Sequence, residues 1–210
     1  MPPVELLVAF IIATSVFAYI PGPAMLYSAA QTIAGGRRAG WLAALGIHVG
    51  GYAHVAAAAL GLAVLFEAVP VLYTALKIAG AIYLIWLGAK MLFDRTSMST
   101  PSYQIEAKTP KRAFWESITV EVLNPKTAVF YIAFLPQFTD PSAVFPIWLQ
   151  LFVLGTLVNI MFSSADVFCV ILADKITRAL RQSASAGRLV KRLGGSILVA
   201  LGFNVAFTQR

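Results

Sequence analysis

Six apolar stretches, at roughly 4–33, 40–66, 70–93, 114–137, 145–172 and 190–208, fill most of the chain and alternate with polar connections. Each is long enough to cross a hydrocarbon core of about 30 Å as a helix. The pattern therefore predicts an all-α membrane protein with six transmembrane helices and leaves no room for a soluble domain. Two of the six stretches are interrupted. The first carries "AYIPGPAMLY" (18–27), with Pro21, Gly22 and Pro23 in its middle. As one straight helix, 4–33 would run about 45 Å, which places Gly22 inside the bilayer rather than at its edge. The fourth carries Asn124, Pro125 and Lys126. Superimposing Pro23 on Pro125 pairs Gly22 with Asn124, so each break reads as an N-cap followed by proline at the first helical position.

Composition agrees with the pattern: the 210 residues are 59% hydrophobic and 12% charged, and mean hydropathy is +0.79. These values lie well outside the range of soluble domains. The N-terminal stretch carries Glu5 and has no Lys or Arg ahead of it. It reads as a spanning segment rather than a cleaved signal. The single cysteine, Cys169, allows no intrachain disulfide and is read as packing.

The net charge of +7 could suggest nucleic acid, but 13 of the 16 Lys and Arg residues fall in odd-numbered connections. These are Arg37 and Arg38 in the first, Lys90, Arg95, Lys108, Lys111 and Arg112 in or beside the third, and six residues from Lys175 to Arg192 in the fifth. By the positive-inside rule those connections are cytoplasmic and both termini lie outside. The chain is then one integral membrane domain, with a first repeat at 1–93, a polar cytoplasmic linker at 94–113 and a second repeat at 114–210.

The halves resemble each other. Residues 76–93 laid over 190–207 match Lys77 with Lys191, Gly80 with Gly194, Leu84 with Leu198, Leu87 with Leu201, Gly88 with Gly202 and Phe93 with Phe207. With three spans per half, the second half enters the membrane from the opposite side, so the repeat is inverted, which is a transporter signature. The two interrupted spans are then corresponding members. A helix start at membrane depth exposes N–H groups and the positive end of the macrodipole, and in lipid these need protein, water or ligand. Two such starts converging near the midplane would receive an anionic group such as an amino-acid carboxylate, with Lys126 adding a full charge. The substrate-binding candidates are thus Pro21, Gly22, Pro23, Asn124, Pro125 and Lys126. The bland alternative is a pair of packing kinks.

Other ionisable residues within spans are functional candidates by default. Glu121 precedes Asn124 by three residues, and its pairing with Lys126 would need the helix break. Asp166, midway along the fifth span, is the better proton-coupling candidate, because a buried carboxylate can load and unload a proton. Its bland reading is a partner for the backbone or for the Ser163 or Ser164 hydroxyl. His48 and His54 lie about 120° apart on a helix, which argues against a metal site. His54 is read as a pore-lining or interhelical hydrogen bonder. Gly46, Gly50, Ala53, Ala57 and Gly61 form a ladder of small residues that permits close helix contact within the chain or across a homodimer. No metal or other cofactor is expected.

The stretches "PGPAMLY", "KIAGAIYLIWLGAKML" and "LNPKTAVFYIAFLPQF", with the small-residue second span, together resemble the LysE/RhtB family of bacterial amino-acid exporters across essentially the whole chain. The resemblance implies a six-helix inner-membrane protein that exports amino acids or close derivatives, of the homoserine, threonine or leucine-like class, driven by the proton motive force. On that pattern Pro21, Gly22 and Pro23 match the first-helix motif, and Asn124, Pro125 and Lys126 the fourth-helix motif, which Pro136, Gln137 and Phe138 close. Asp166 falls where many members carry an acidic residue, while Glu121 stands where Asn is commoner. The implied partners are an amino-acid substrate, protons and the lipid bilayer. A divalent-metal exporter is the alternative, disfavoured by cytoplasmic loops without a His or Cys cluster. An intramembrane enzyme is disfavoured more strongly: a thiol carrier needs two cysteines, and the fifth span has no histidine to activate Ser163 or Ser164.

Overall fold

A computed structural model describes residues 4–62 and 108–182, with isolated positions between 64 and 93 and at 196 and 199. The residues matched between the third and sixth spans, Phe93 apart, lie outside the described residues, as does most of the linker. What is described is helical, with no strand among the described residues. The elements are α1 (Val4–Tyr19), α2 (Pro23–Ala56), a π-helical turn (Ala57–Leu62), α3 (Pro110–Val122), α4 (Pro125–Phe134), a 3-10 turn (Leu135–Phe138) and α5 (Ile147–Gln182). Pro23–Leu62 and Ile147–Ala173 are each long and apolar enough to cross a membrane, and Pro110–Val122 with Pro125–Phe138 passes as a pair bent by 43°.

As a straight rod α2 would be about 50 Å long, more than a bilayer core needs. It is not straight. Gly36 has φ 80° and ψ 174°, a conformation that glycine adopts freely and L side chains rarely do. Residues 32 and 40 would be about 12 Å apart on a continuous helix, yet a Cβ on Gly40 would lie 3.2 Å from the Thr32 Cα. The chain therefore doubles back at Gly36 into two arms, 23–35 and 37–56. Both arms pack on α3 in opposite senses. Gly35 approaches the Lys108 carbonyl and Tyr27 reaches Ala113 and Glu116, so the first arm runs antiparallel to α3. Gly46 meets Phe114 and Ser117, and Gly50 meets Ile118 and Glu121, so the second arm runs parallel to it.

The ladder of small residues is thus used within the chain at Gly46 and Gly50, where α2 and α3 touch nearly backbone to backbone. Gly46→Ala should force these helices apart at a cost of about 1–3 kcal/mol, the usual range for overpacking. The check is a lower melting temperature of the detergent-purified protein; an unchanged value would mean that the contact relaxes freely.

The fourth span starts earlier than the hydropathy pattern suggests, at Pro110. Thr109 caps it, its hydroxyl accepting the Arg112 N–H, and Pro110 occupies the first turn. Capping chemistry extends the helix into the polar segment that composition assigns to the linker. At this end Glu116 pairs with Lys108 and, at 2.7 Å, with Arg112, and it accepts the Tyr27 hydroxyl at 3.2 Å.

The core is aromatic. Phe17 stacks on Phe130 at 4.4 Å, Phe130 on Phe134 at 4.2 Å, and Phe10 lies against both Phe134 and Phe138. Burial of these rings fixes α1 antiparallel to α4, because Phe10 meets residues 134 and 138 while Phe17 meets 130. Leu151, Leu154 and Val158 of α5 complete the cluster. The loop before α5 is closed by Gln150, whose amide accepts from the Asp140 N–H and donates to the Asp140 and Phe145 carbonyls.

Candidate functional site at the paired helix breaks

The antiparallel packing of α1 on α4, and of the first α2 arm on α3, brings the two breaks to one level. α1 ends at Tyr19 and α2 begins at Pro23; α3 ends at Val122 and α4 begins at Pro125. Each proline occupies a first helical position, where a missing N–H costs nothing. Asn124 caps α4, its Oδ1 accepting the Lys126 N–H at 3.1 Å. Gly22 has no side chain for that task, and the N–H groups of Ala24 and Met25 have no carbonyl one turn back to receive them. Gly22 and Lys126 touch: a Cβ on Gly22 would lie 2.6 Å from the Lys126 Cδ.

Each half-helix C-terminus also needs donors for its last carbonyls. Lys126 supplies them to α1, donating from Nζ to the Phe17 carbonyl at 3.0 Å and the Ile20 carbonyl at 2.5 Å. Its ammonium also faces the rings of Phe17 and Phe162, 4.7 and 5.6 Å from their centres. His54 performs the matching task for α3, donating from Nε2 to the Glu121 carbonyl at 2.8 Å, which fixes its tautomer. Both breaks are therefore capped by a side chain from another element.

A cavity of about 20 Å³, the space open to the centre of a water molecule, lies between the breaks. Gly22, Ala24, Met25, Asn124, Lys126 and Thr127 line it from the two helix starts, Asn159, Phe162, Ser163 and Asp166 from α5, and Ala18, Ile47 and Glu121 from the rest. Of the sequence candidates, Gly22, Asn124, Lys126, Glu121 and Asp166 reach it. Pro21, Pro23 and Pro125 shape the breaks, and His54 sits behind Glu121 without lining the cavity. The Glu121 carboxylate accepts the Asn124 amide at 3.0 Å rather than pairing with Lys126. Asp166 is buried, and neither neighbouring hydroxyl serves it: Ser163 donates to the Asn159 carbonyl and Ser164 to that of Met161. No ion pair or hydrogen bond to its carboxylate is found among the described residues. Cys169 is buried, with Sγ 3.8 Å from the Met25 carbonyl.

Sequence reasoning passes over Asn159 and the bridge it builds. Asn159 donates to the His48 carbonyl at 3.0 Å, and His48 Nδ1 lies 2.6 Å from Ser163 Oγ, so α2 and α5 are locked together beside the cavity. The Ser163 hydroxyl hydrogen is used on Asn159, which makes His48 the donor of that contact. The signal is present in the chain: Asn159, Ser163 and Asp166 are spaced i, i+4, i+7, one face of an otherwise apolar helix. Among the described residues no group of three or more His, Cys, Asp or Glu side chains is placed to hold a metal ion.

Apolar helices, broken in pairs and meeting at a small polar cavity, define a helical integral membrane protein of the transporter type. The model of the LysE type translocator family matches residues 15–209, and the chain belongs to that family, whose members are transporters and not enzymes. The leucine efflux protein of Klebsiella pneumoniae subsp. pneumoniae is 29% identical over 190 residues, covering 90% of this chain and 89% of that protein. The leucine efflux protein of Enterobacter sp. (strain 638) is 28% identical, covering 94% and 93%. The membrane protein YrhP of Bacillus subtilis is 29% identical, covering 96% and 99%. No solved structure matches the chain.

Proposed function

We propose that the protein is a bacterial inner-membrane exporter of amino acids or close derivatives, of the homoserine, threonine or leucine-like class, coupled to protons and working by alternating access. The observation that carries this reading is the meeting of the two helix breaks at one cavity. The substrate carboxylate sits against the starts of α2 and α4, where Ala24 and Met25 offer N–H groups and Lys126 a charge. Ala18, Met25, Ile47 and Phe162 supply an apolar wall for the side chain. Relatives at 28–29% identity named as leucine efflux proteins favour an aliphatic substrate.

On this reading the six spans form two inverted three-helix halves that rock about the breaks, with both termini outside and the basic connections in the cytoplasm. The antiparallel pairing of the two broken spans supports such a relation. A cavity of about 20 Å³ on this measure has room for about one water molecule. An amino acid therefore needs a more open arrangement than the described one. Cells overproducing the protein and preloaded with radiolabelled leucine or threonine should release label faster than control cells, and an uncoupler should stop the release. Equal release with and without the protein, across a panel of amino acids, refutes the exporter reading. Release that an uncoupler leaves untouched refutes proton coupling.

A further inference from the structure

The end of α1 is where a broken-helix transporter commonly holds a coupling cation, because half-helix C-termini and unwound carbonyls point their negative ends at the midplane. Here the Phe17 and Ile20 carbonyls converge on the Lys126 ammonium, and the Phe17 and Phe162 rings turn their faces to it. We propose that these carbonyls and rings form a cation site which Lys126 fills from the start of α4, a tethered ion in place of a free alkali metal.

Three features favour this over simple capping. Capping alone needs only an N–H donor, such as the imidazole N–H at the matching carbonyl of α3. A full charge held in a membrane protein without a carboxylate partner is costly and is kept for a purpose. Among the described residues no carboxylate lies within ion-pair distance of Lys126, although Glu121 and Asp166 border the same cavity. Lastly, an ammonium has three donors, and two are spent on carbonyls. The third is the one a substrate carboxylate would receive, an assignment that rests on the exporter reading above; the cation site itself does not.

The test uses the full-length protein. Lys126→Ala vacates the site, so ethylammonium should stabilise the purified variant, raising its melting temperature by roughly 4 °C at ten times its dissociation constant. Choline, too large for the gap, should not, and the wild type should respond to neither. In proteoliposomes, leucine counterflow by the wild type should be the same in sodium and choline chloride. The variant should lose it at least tenfold and regain part of it with ethylammonium, whereas Lys126→Met, filling the space without charge, should not be rescued.

Equal thermal shifts in variant and wild type, or none in the variant, overturn the proposal, as does counterflow by the wild type that requires sodium. If the wild type exchanges no amino acid, the exporter reading falls, and the thermal shift still decides the cation site. If Lys126→Ala cannot be purified, the wild type's own melting temperature in sodium against choline decides it: equal values support the tethered ion, and stabilisation by sodium overturns it.

Discussion

Gly22→Ala is expected to cut export about a hundredfold, the scale on which displacement of a positioning group by about 1 Å acts, while leaving the chain folded. The backbone gives no reason for the loss. Gly22 has φ −126° and ψ 179°, extended values that alanine adopts without strain. The added methyl would instead fall 2.6 Å from the Lys126 Cδ, 3.4 Å from its Nζ and 3.6 Å from its Cε. A lysine with a free end could swing aside cheaply. This one is pinned by the Phe17 and Ile20 carbonyls, so moving its stem breaks those bonds or moves α1. Pro21→Ala, next to it and off the cavity, should by comparison keep most of its transport. The measurement is efflux of labelled leucine at matched membrane levels of each variant, with detergent size-exclusion profiles to establish folding. Wild-type efflux by Gly22→Ala would mean that contact between the breaks is incidental to transport.

The breaks were legible in the sequence because proline and a capping residue impose local rules. Pro23 and Pro125 start helices for reasons contained in three residues each, and hydrophobic length alone predicts membrane depth for them. The turn at Gly36 was harder to read, since Gly35 and Gly36 sit beside Arg37 and Arg38 and look like any polar connection; the positive φ reveals itself only in the backbone. The partners of Lys126 were not legible at all. They are carbonyls, which every residue carries, and only the aromatic packing of α1 on α4 decides which ones come within reach. The same limit hid the His48–Ser163 contact, whose members are 115 positions apart. Reading the fifth span alone leaves Ser163 without a histidine, and the second arm of α2 supplies one. Asp166 stands out in the sequence as a lone acid in an apolar helix, and the structure adds its burial and the lack of a fixed partner among the described residues.

On the proton-coupled reading proposed above, that lack favours Asp166 over Glu121 as the proton carrier. Both carboxylates border the cavity, but Glu121 holds the Asn124 amide at 3.0 Å, and Asn124 in turn caps α4 through Oδ1. Taking up a proton there would weaken a charge-assisted bond to the residue that caps the break, without giving the proton a site of its own. Asp166 carries no such duty among the described residues, so under alternating access its charge could come and go with each cycle. Asp166→Asn, nearly equal in size and permanently neutral, is expected to abolish export against a leucine gradient. Exchange of leucine for leucine, which moves no net protons, should persist within about threefold, since the helix starts and Lys126 remain in place. Proteoliposomes with an imposed proton gradient separate the two activities directly. Glu121→Gln keeps an acceptor for Asn124 and should retain gradient-driven export. If Asp166→Asn still concentrates leucine while Glu121→Gln does not, the roles are reversed. If Asp166→Asn loses exchange and export together, the carboxylate binds substrate, its place in the cavity then being that of a partner for the amino group.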